Sequence, residues 1–232
     1  METLFTAIGG TFITPYLNLK EKAQNLRAII FDWDGVFNSG VKGEGVNSPY
    51  YEADSMGINL LRFGYWLTNR EIPLTSIISG ENNISAYNLA TREHFKSVYF
   101  SIKNKATALE HLRTLYGINS EQVAYIFDDV LDLQIASQCG LRFLIKREAS
   151  AIFNDYVKHN NYCDYITASQ GGNFAIREIC ELLISLNYNF NDIIEERINS
   201  TFNYEEYLKE RNSLDTNFYT LEEGSIIRKD PQ

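Results

Sequence analysis

The feature that most constrains the fold of this chain is an alternation of short apolar runs with segments of helical periodicity. Six runs are rich in β-branched and aromatic residues: 27–31, 74–78, 97–100, 123–127, 141–145 and 164–167. Between them, segments 105–116 and 174–186 repeat apolar residues every three or four positions, as one helix face requires. Strands that alternate with helices indicate parallel pairing. The sequence therefore predicts an α/β fold, with a Rossmann-like parallel sheet flanked by helices.

Composition and charge narrow the class of protein. The 232 residues, 44% hydrophobic and 22% charged, suffice for one sizeable core and a small appendage. A net charge of −9 without any lysine and arginine cluster predicts no nucleic-acid and no membrane partner. We expect a cytoplasmic protein, because no secretory signal or long apolar stretch occurs. Cys139, Cys163 and Cys180 lack metal-ligand spacing, which favours buried free thiols.

Two carboxylates follow the first apolar run. The run ends at Phe31, and Asp32, Asp34 and Gly35 come directly after it. Trp33, between the two aspartates, should point to the opposite face of the strand and pack in the core. Two close carboxylates repel each other and raise each other's pKa unless a positive charge lies between them. This end of the strand is therefore a candidate cation site.

Other predicted elements bring polar residues to the same place. The carboxyl ends of parallel strands meet at one edge of a sheet, where α/β proteins build their sites. Carboxylate oxygens around one point suit Mg²⁺, which is common where a phosphate also binds. A hydroxyl and an ammonium group would then hold phosphoryl oxygens. The residues expected at this edge, besides Asp32 and Asp34, are Ser79, Gly80, Lys105, Asp128, Asp129 and Asp132.

The expected domain organisation has three parts. Residues 1–25 form an N-terminal extension, and residues 26–187 form the core. Within the core, a stretch rich in Gly, Asn and Ser suggests a small β-hairpin cap at about residues 37–53, overhanging the carboxylates. Residues 188–232 form a tail with ten acidic, five basic and seven aromatic residues. Such a tail is either solvated or an arm that docks through its aromatic residues.

The motifs resemble those of the haloacid dehalogenase (HAD) superfamily of phosphatases, whose first motif is DxDx[VT]. That motif reads DWDGV here, from Asp32 to Val36. Within the superfamily the chain is similar to the phosphatases of 3-deoxy-D-manno-octulosonate (KDO) phosphate and of sialic-acid phosphates. The likeness spans roughly residues 22–186. It rests on the stretches KAQNLRAIIFDWDGVFNSG, IISG, NKATALEHL, VAYIFDDVLD and GGNFAIREICELL, which occur in the family's order.

The resemblance implies a HAD-like fold and a mechanism. Asp32 would accept the phosphoryl group, giving an aspartyl-phosphate that water cleaves. Asp34 would protonate the leaving group and then activate the water. Mg²⁺ would be held by the side chains of Asp32 and Asp128 and by the backbone carbonyl of Asp34. The implied substrate is a sugar-acid phosphate such as KDO 8-phosphate, and the implied assembly is a homotetramer.

The remaining matched positions would serve the phosphoryl group. Ser79, Gly80 and Lys105 would bind it, with Lys105 preferred over the neighbouring Lys103. Asp129 and Asp132 would orient Lys105 or metal-bound water.

Three departures from the family pattern leave alternatives open. Glu81 stands where these phosphatases have an arginine, Phe127 replaces a glycine before the metal-binding aspartate, and Asn173 replaces a second arginine. Glu81 and Phe127 favour a degenerate member that binds a phosphorylated sugar or serves an assembly role without turnover. A phospho-accepting receiver domain also combines aspartates with a lysine, but it has about 120 residues and its acceptor lies on a middle strand. In this chain the aspartate pair ends the first predicted strand.

Overall fold

The computed structural model describes residues 1–231. The nine strands among them form a single sheet. The spatial order of the strands is β1-β7-β6-β5-β2-β3-β4-β8-β9. All neighbours pair in parallel except β1 with β7 and β8 with β9. The strands are β1 (Thr11–Phe12), β2 (Ala28–Phe31), β3 (Leu74–Ile78), β4 (Ser97–Tyr99), β5 (Val123–Phe127), β6 (Leu141–Lys146), β7 (Tyr165–Gln170), β8 (Asn217–Glu222) and β9 (Ser225–Arg228).

Helices cover both faces of the sheet. One hydrophobic cluster includes residues of α2, α3, α4, α8, α9 and α10, and a second cluster, on the other face, includes residues of α5, α6 and α7. None of the described helices is long and apolar enough to cross a lipid bilayer. The helices are α1 (Glu2–Ala7), α2 (Tyr16–Ala23), α3 (Glu52–Asn69), α4 (Ile84–Arg92), α5 (Lys105–Tyr116), α6 (Leu133–Ala136), α7 (Ala151–His159), α8 (Ala175–Asn187), α9 (Phe190–Ile198) and α10 (Phe202–Asn212).

The predicted α/β class is confirmed, as are the six strands and both helices predicted from apolar periodicity. Strand β2 is completely buried along its length, because it lies between β3 and β5 and is covered on both faces. Trp33 is also fully buried, as predicted. The three cysteines are buried and free, as predicted. These features depend on short-range pattern and burial, which sequence reveals well.

The predicted hairpin cap is wrong in form. Described residues 38–51 contain no strand, and α3 already begins at Glu52. The reason lies in the first residues of the segment: the backbone N–H of Phe37 donates to the Trp33 carbonyl at 3.0 Å, closing a tight turn. The Phe37 ring stacks on Trp33 at 4.5 Å and is fully buried. A residue anchored in this way cannot begin the first strand of a hairpin, so the segment is a loop, here called the overhanging loop (residues 38–51).

Both ends of the chain extend the sheet. β1 adds an antiparallel strand at one edge, beside β7. At the other edge, β8 pairs in parallel with β4 and β9 folds back on β8. The C-terminal arm (residues 188–231) also buries Tyr204 and Tyr207 against α3. Of the two interpretations of this segment, the structure therefore shows the docked one, on the same chain's core.

Candidate active site

The candidate site lies at the carboxyl ends of the central strands. β2 is flanked by β3 and β5, and Phe31 pairs with Ile77 on one side and Ile126 on the other. The next residue, Asp32, continues this register, since its backbone N–H donates to the Ile126 carbonyl at 2.9 Å. The residues that follow β2, β3 and β5 are thus held side by side by backbone pairing, as strand topology requires.

A buried acidic cluster stands at this edge. One oxygen each of Asp32, Asp128 and Asp132 lies within 4.8 Å of the others, and all three residues are buried. Lys105, the first residue of α5, bridges two of them, with its Nζ 2.6 Å from Asp32 Oδ1 and 2.6 Å from Asp132 Oδ1. The Tyr125 hydroxyl donates to the same Asp132 oxygen at 2.6 Å. The structure therefore brings four of the predicted site residues into direct contact or close proximity.

Burial and mutual repulsion shift the pKa values of the groups in this cluster. Burial, together with the charges of Asp132 and Asp128, raises the pKa of Asp32 well above its usual range despite the opposing effect of Lys105. Burial likewise raises the pKa of Asp128 to about 6, although a nearby arginine opposes the shift. Burial disfavours the charge of Lys105, but Asp32 and Asp132 outweigh it and raise the pKa of the ammonium group. The carboxylates are thus short of positive charge.

Arg147 supplies part of that charge. It follows β6, and its Nη2 contacts Asp128 Oδ2. The pair lies against Gly35, where any side chain would overlap both groups, and Gly35 also has a positive φ of 83°. A glycine after the second aspartate is therefore required here on both steric and conformational grounds.

Asp34 lies at the mouth of the site, in contact with the overhanging loop. Its carboxylate accepts hydrogen bonds from Lys42 Nζ at 2.5 Å and from Ser48 Oγ at 2.8 Å. A third donor is Asn83 Nδ2, at 3.1 Å. The loop does overhang the second aspartate, although it does so without a hairpin.

Ser79 and Gly80 follow β3 beside Asp34. Ser79 is buried, and its Oγ accepts from the backbone N–H of Glu81 and from Asn83 Nδ2, both at 3.1 Å. Its own hydroxyl proton therefore remains available to a ligand. A side chain on Gly80 would meet no described atom within 4 Å, so the space beside Ser79 is open.

Three other predicted site residues occupy different surroundings. Asp129 is exposed and its Oδ1 accepts from the Val130 backbone N–H at 2.7 Å, so the structure does not bring it to Lys105. Asp132, in contrast, contacts Lys105 directly. Lys103, the rival to Lys105, has a side chain that is 85% exposed and lies 3.8 Å from Glu81.

The positions that depart from the family pattern lie outside the acidic cluster. Phe127 is fully buried, and its ring stacks on Tyr125 with centroids 5.8 Å apart. Glu81 and Asn173 are exposed. Gly171 and Gly172 pack against the backbone of residues 35–39, and a Cβ on Gly172 would lie 2.8 Å from the Ser39 nitrogen. The glycines therefore permit close backbone approach beneath the overhanging loop.

The donor set suits a hard divalent cation. Buried carboxylate oxygens from three aspartates converge, and burial raises the pKa of Asp32 and of Asp128, so a cation between them would stabilise their ionised forms. Oxygen ligands of this kind are those that Mg²⁺ prefers. The residues present therefore fit the cation that the sequence predicts.

Sequence reasoning missed four polar residues near the site: Lys42, Ser48, Asn83 and Arg147. Arg147 could have been found, because it follows the strand predicted at 141–145 and the rule on strand ends applies to it equally. Lys42 and Ser48 lie in a loop without periodicity, so no pattern indicated which of its side chains turn inward.

The chain is similar in sequence to proteins named as phosphatases. No protein-family model matches the chain. The chain is 28% identical over 171 residues to the KDO 8-phosphate phosphatase KdsC of Haemophilus influenzae, covering 72% of this chain and 87% of the relative. It is 29% identical over 168 residues to KdsC of Escherichia coli K12, covering 70% of this chain and 81% of the relative.

Solved structures give the same result. A probable YrbI-family phosphatase of Pseudomonas syringae superposes with a TM-score of 0.66 at 26% identity, covering 78% of this chain and 97% of that one. The KDO 8-phosphate phosphatase of Moraxella catarrhalis, crystallised with magnesium, phosphate and KDO, superposes with a TM-score of 0.64 at 26% identity, covering 78% and 98%. In its fold, its acidic cluster and its sequence, the chain is similar to phosphatases of the HAD superfamily, of the type represented by the KDO 8-phosphate phosphatases.

Proposed function

We propose that this chain is a Mg²⁺-dependent phosphomonoesterase that acts through an aspartyl-phosphate on a sugar-acid phosphate such as KDO 8-phosphate. One observation carries the proposal: Asp32, Asp128 and Asp132 converge within 4.8 Å, with the Lys105 ammonium between two of them. The resemblance to enzymes named for this substrate supports the same reaction.

Asp32 is the nucleophile in this proposal. Its carboxylate ends the central strand, so backbone pairing holds it in place. Mg²⁺ bound by the Asp32 and Asp128 carboxylates and the Asp34 backbone carbonyl would neutralise charge between the nucleophile and the phosphate. Attack by an Asp32 oxygen on phosphorus forms the new P–O bond as the bond to the sugar oxygen breaks, and water later cleaves the aspartyl-phosphate.

Asp34 is the acid and base. It lies at the mouth of the site, where a leaving group would depart, and Asn83 links it to Ser79. It would donate a proton to the departing sugar oxygen and take one from the attacking water. Lys42 and Ser48 also donate hydrogen bonds to this carboxylate. At least one of these bonds would have to break when the proton is transferred.

Lys105 and Ser79 hold the transferring phosphoryl group. Lys105 is buried and kept in position by Asp132, which also accepts from Tyr125. A positioned ammonium and a hydroxyl donor stabilise the charge that develops on the phosphoryl oxygens. Gly80 leaves open space beside the hydroxyl. Asp129 stays a candidate for orienting metal-bound water.

Two further properties belong to the proposal. The overhanging loop is short and open, so neighbouring subunits would supply additional walls in a homo-oligomer, a tetramer by analogy with the family. The proposal also places the protein in the cytoplasm without a nucleic-acid or anionic-membrane partner, which the net charge of −9 supports.

The test is phosphate release from KDO 8-phosphate, a sialic-acid phosphate and an aryl phosphate, with Mg²⁺ and with EDTA. Wild type should release phosphate only with Mg²⁺, and Asp32→Asn should lose at least about a thousandfold, because an amide cannot attack phosphorus. Asp128→Asn should lose far more activity than Asp129→Asn, a matched change at the exposed neighbour. Turnover that survives EDTA or Asp32→Asn would refute the mechanism.

A second candidate, a degenerate member that binds without turnover, is favoured by one observation: Arg147 contacts a carboxylate that should bind the metal. Wild type that binds Mg²⁺ in titration calorimetry but releases no phosphate from any ester would establish it.

A further inference from the structure

Most positive side chains at the mouth of the site already have a carboxylate partner. Lys105 lies between Asp32 and Asp132, and Lys42 is bonded to Asp34. Lys103 is exposed beside Glu81. Arg147 also contacts a carboxylate, that of Asp128, but its side chain is 38% exposed, so Arg147 and its neighbour Lys146, at the end of β6, stay within reach of a ligand's second anionic group.

These two residues line a small cleft next to the catalytic edge. The cleft measures about 60 Å³ and holds no acidic side chain among its described lining residues, which are Gly35, Ser39, Lys146, Arg147, Gln170 and Gly171. Gly35 directly follows Asp34, so the cleft lies next to the backbone of the proposed acid and base. A volume of this size admits a carboxylate group but not a sugar ring.

Strand order places this cleft on the side of the nucleophile away from the proposed phosphate-binding residues. Ser79 follows β3 and Lys105 follows β4 by a few residues, on one side of β2. Arg147 follows β6, which lies on the other side, beyond β5. A ligand with a phosphate at one end and an acid at the other could therefore engage both sets of cations across Asp32 and Asp34.

Arg147 has the chemistry to bind such an acid. Its guanidinium group carries five N–H donors in a planar fork that matches a carboxylate with two parallel hydrogen bonds. Nη2 contacts Asp128, the side chain is 38% exposed, and Arg147 lines the cleft. An arginine here also offers positive charge in a chain where Glu81 and Asn173 stand at the positions of two arginines in similar phosphatases.

We propose that Arg147, assisted by Lys146, binds the carboxylate of the substrate and is a specificity-determining residue for sugar-acid phosphates. The proposal rests on the proposed function, because it assigns a subsite to the same reaction. It predicts that Arg147 distinguishes esters that carry a carboxylate from esters that do not.

The experiment compares kcat/KM for KDO 8-phosphate and for p-nitrophenyl phosphate, which has no carboxylate. The proteins are wild type, Arg147→Ala, Arg147→Lys and the control Lys103→Gln, which removes one positive charge at the same edge outside the cleft. Arg147→Ala should lower the ratio of the two kcat/KM values about tenfold or more, mainly through KM for the acid. Arg147→Lys should recover part of the ratio, and Lys103→Gln should leave it unchanged.

The ratio separates recognition from a structural role. Loss of the Asp128 contact would change kcat for both esters equally, so an equal fall, or no change, in both values overturns the proposal while leaving the phosphatase mechanism intact.

Binding of free KDO, measured by titration calorimetry with Mg²⁺ present, covers the case in which wild type hydrolyses neither ester. That result would refute the proposed function, but weaker KDO binding by Arg147→Ala than by Lys103→Gln would still support the subsite. Equal affinities, or no binding by wild type, would overturn it.

Discussion

The C-terminal arm and the edge of the sheet that carries the candidate active site are held in place by different forces. At the edge, Asp32, Asp128 and Lys105 follow strands or begin a helix, and backbone pairing of the parallel strands brings them together. In the arm, Tyr204 and Tyr207 reach the core because their rings pack on Phe63 of α3, at 5.0 and 5.2 Å.

The two regions therefore contribute differently to the free energy of unfolding. The edge buries charged groups whose attraction must offset their desolvation, so it contributes chemistry at a cost in folding free energy. The arm buries aromatic surface and pairs β8 with β4, which stabilises the fold directly. Mutations should therefore separate activity from stability between the two regions.

The largest effect is expected at the edge, from Lys105→Met. Activity should fall at least about a hundredfold, because a donor to the phosphoryl group is lost. Measured in EDTA, the free energy of unfolding should fall by about 3 kcal/mol, since Asp32 and Asp132 stay buried without their cation. Phosphate release and urea denaturation provide the two readouts. The matched variant Lys103→Met should change neither much, and equal effects of the two variants would contradict the assignment of Lys105.

In the arm, Tyr207→Ala should affect stability alone. The side chain is fully buried between Phe63 and Trp66, so its removal should lower the free energy of unfolding by about 3–5 kcal/mol. Under conditions where the variant stays folded, kcat should match wild type, because Tyr207 lies outside the site. Phe202→Ala, at a position 75% exposed in the same helix, should cost no more than about 0.5 kcal/mol. A fall in kcat without destabilisation would show that the arm takes part in the site.

The smallest effect is expected where Gly172 packs against the start of the overhanging loop. Gly172 and Gly45 have nearly the same φ, 73° and 72°, so alanine carries the same conformational cost of about 1 kcal/mol at both. A Cβ on Gly172 would meet the Ser39 nitrogen at 2.8 Å, whereas one on Gly45 would meet no described atom within 4 Å. Gly172→Ala should therefore be more destabilising than Gly45→Ala by about 1–2 kcal/mol in urea denaturation. Equal losses would mean that the loop shifts freely away from Gly172.

Prediction from sequence succeeded where one local rule decides the outcome. Apolar runs gave the strands, and the rule that parallel strands end at one edge gathered Asp32, Asp128 and Lys105. It failed where several weak preferences compete. Val36 and Phe37 looked like a strand of a hairpin, but the packing of Phe37 on Trp33 turned the chain instead. Glycine and asparagine in the overhanging loop allow many backbone paths, so its contacts to Asp34 had no pattern to reveal them.

The sequence by itself determined the parallel α/β architecture, the chemistry available at the strand ends and the order of the motifs, because these depend on periodicity and residue type along the chain. Only the tertiary structure decided that Arg147 contacts Asp128, that Lys42 and Ser48 turn toward Asp34, and that the arm docks on α3 and β4. The formation of those contacts depends on shape complementarity and charge balance that no local pattern encodes.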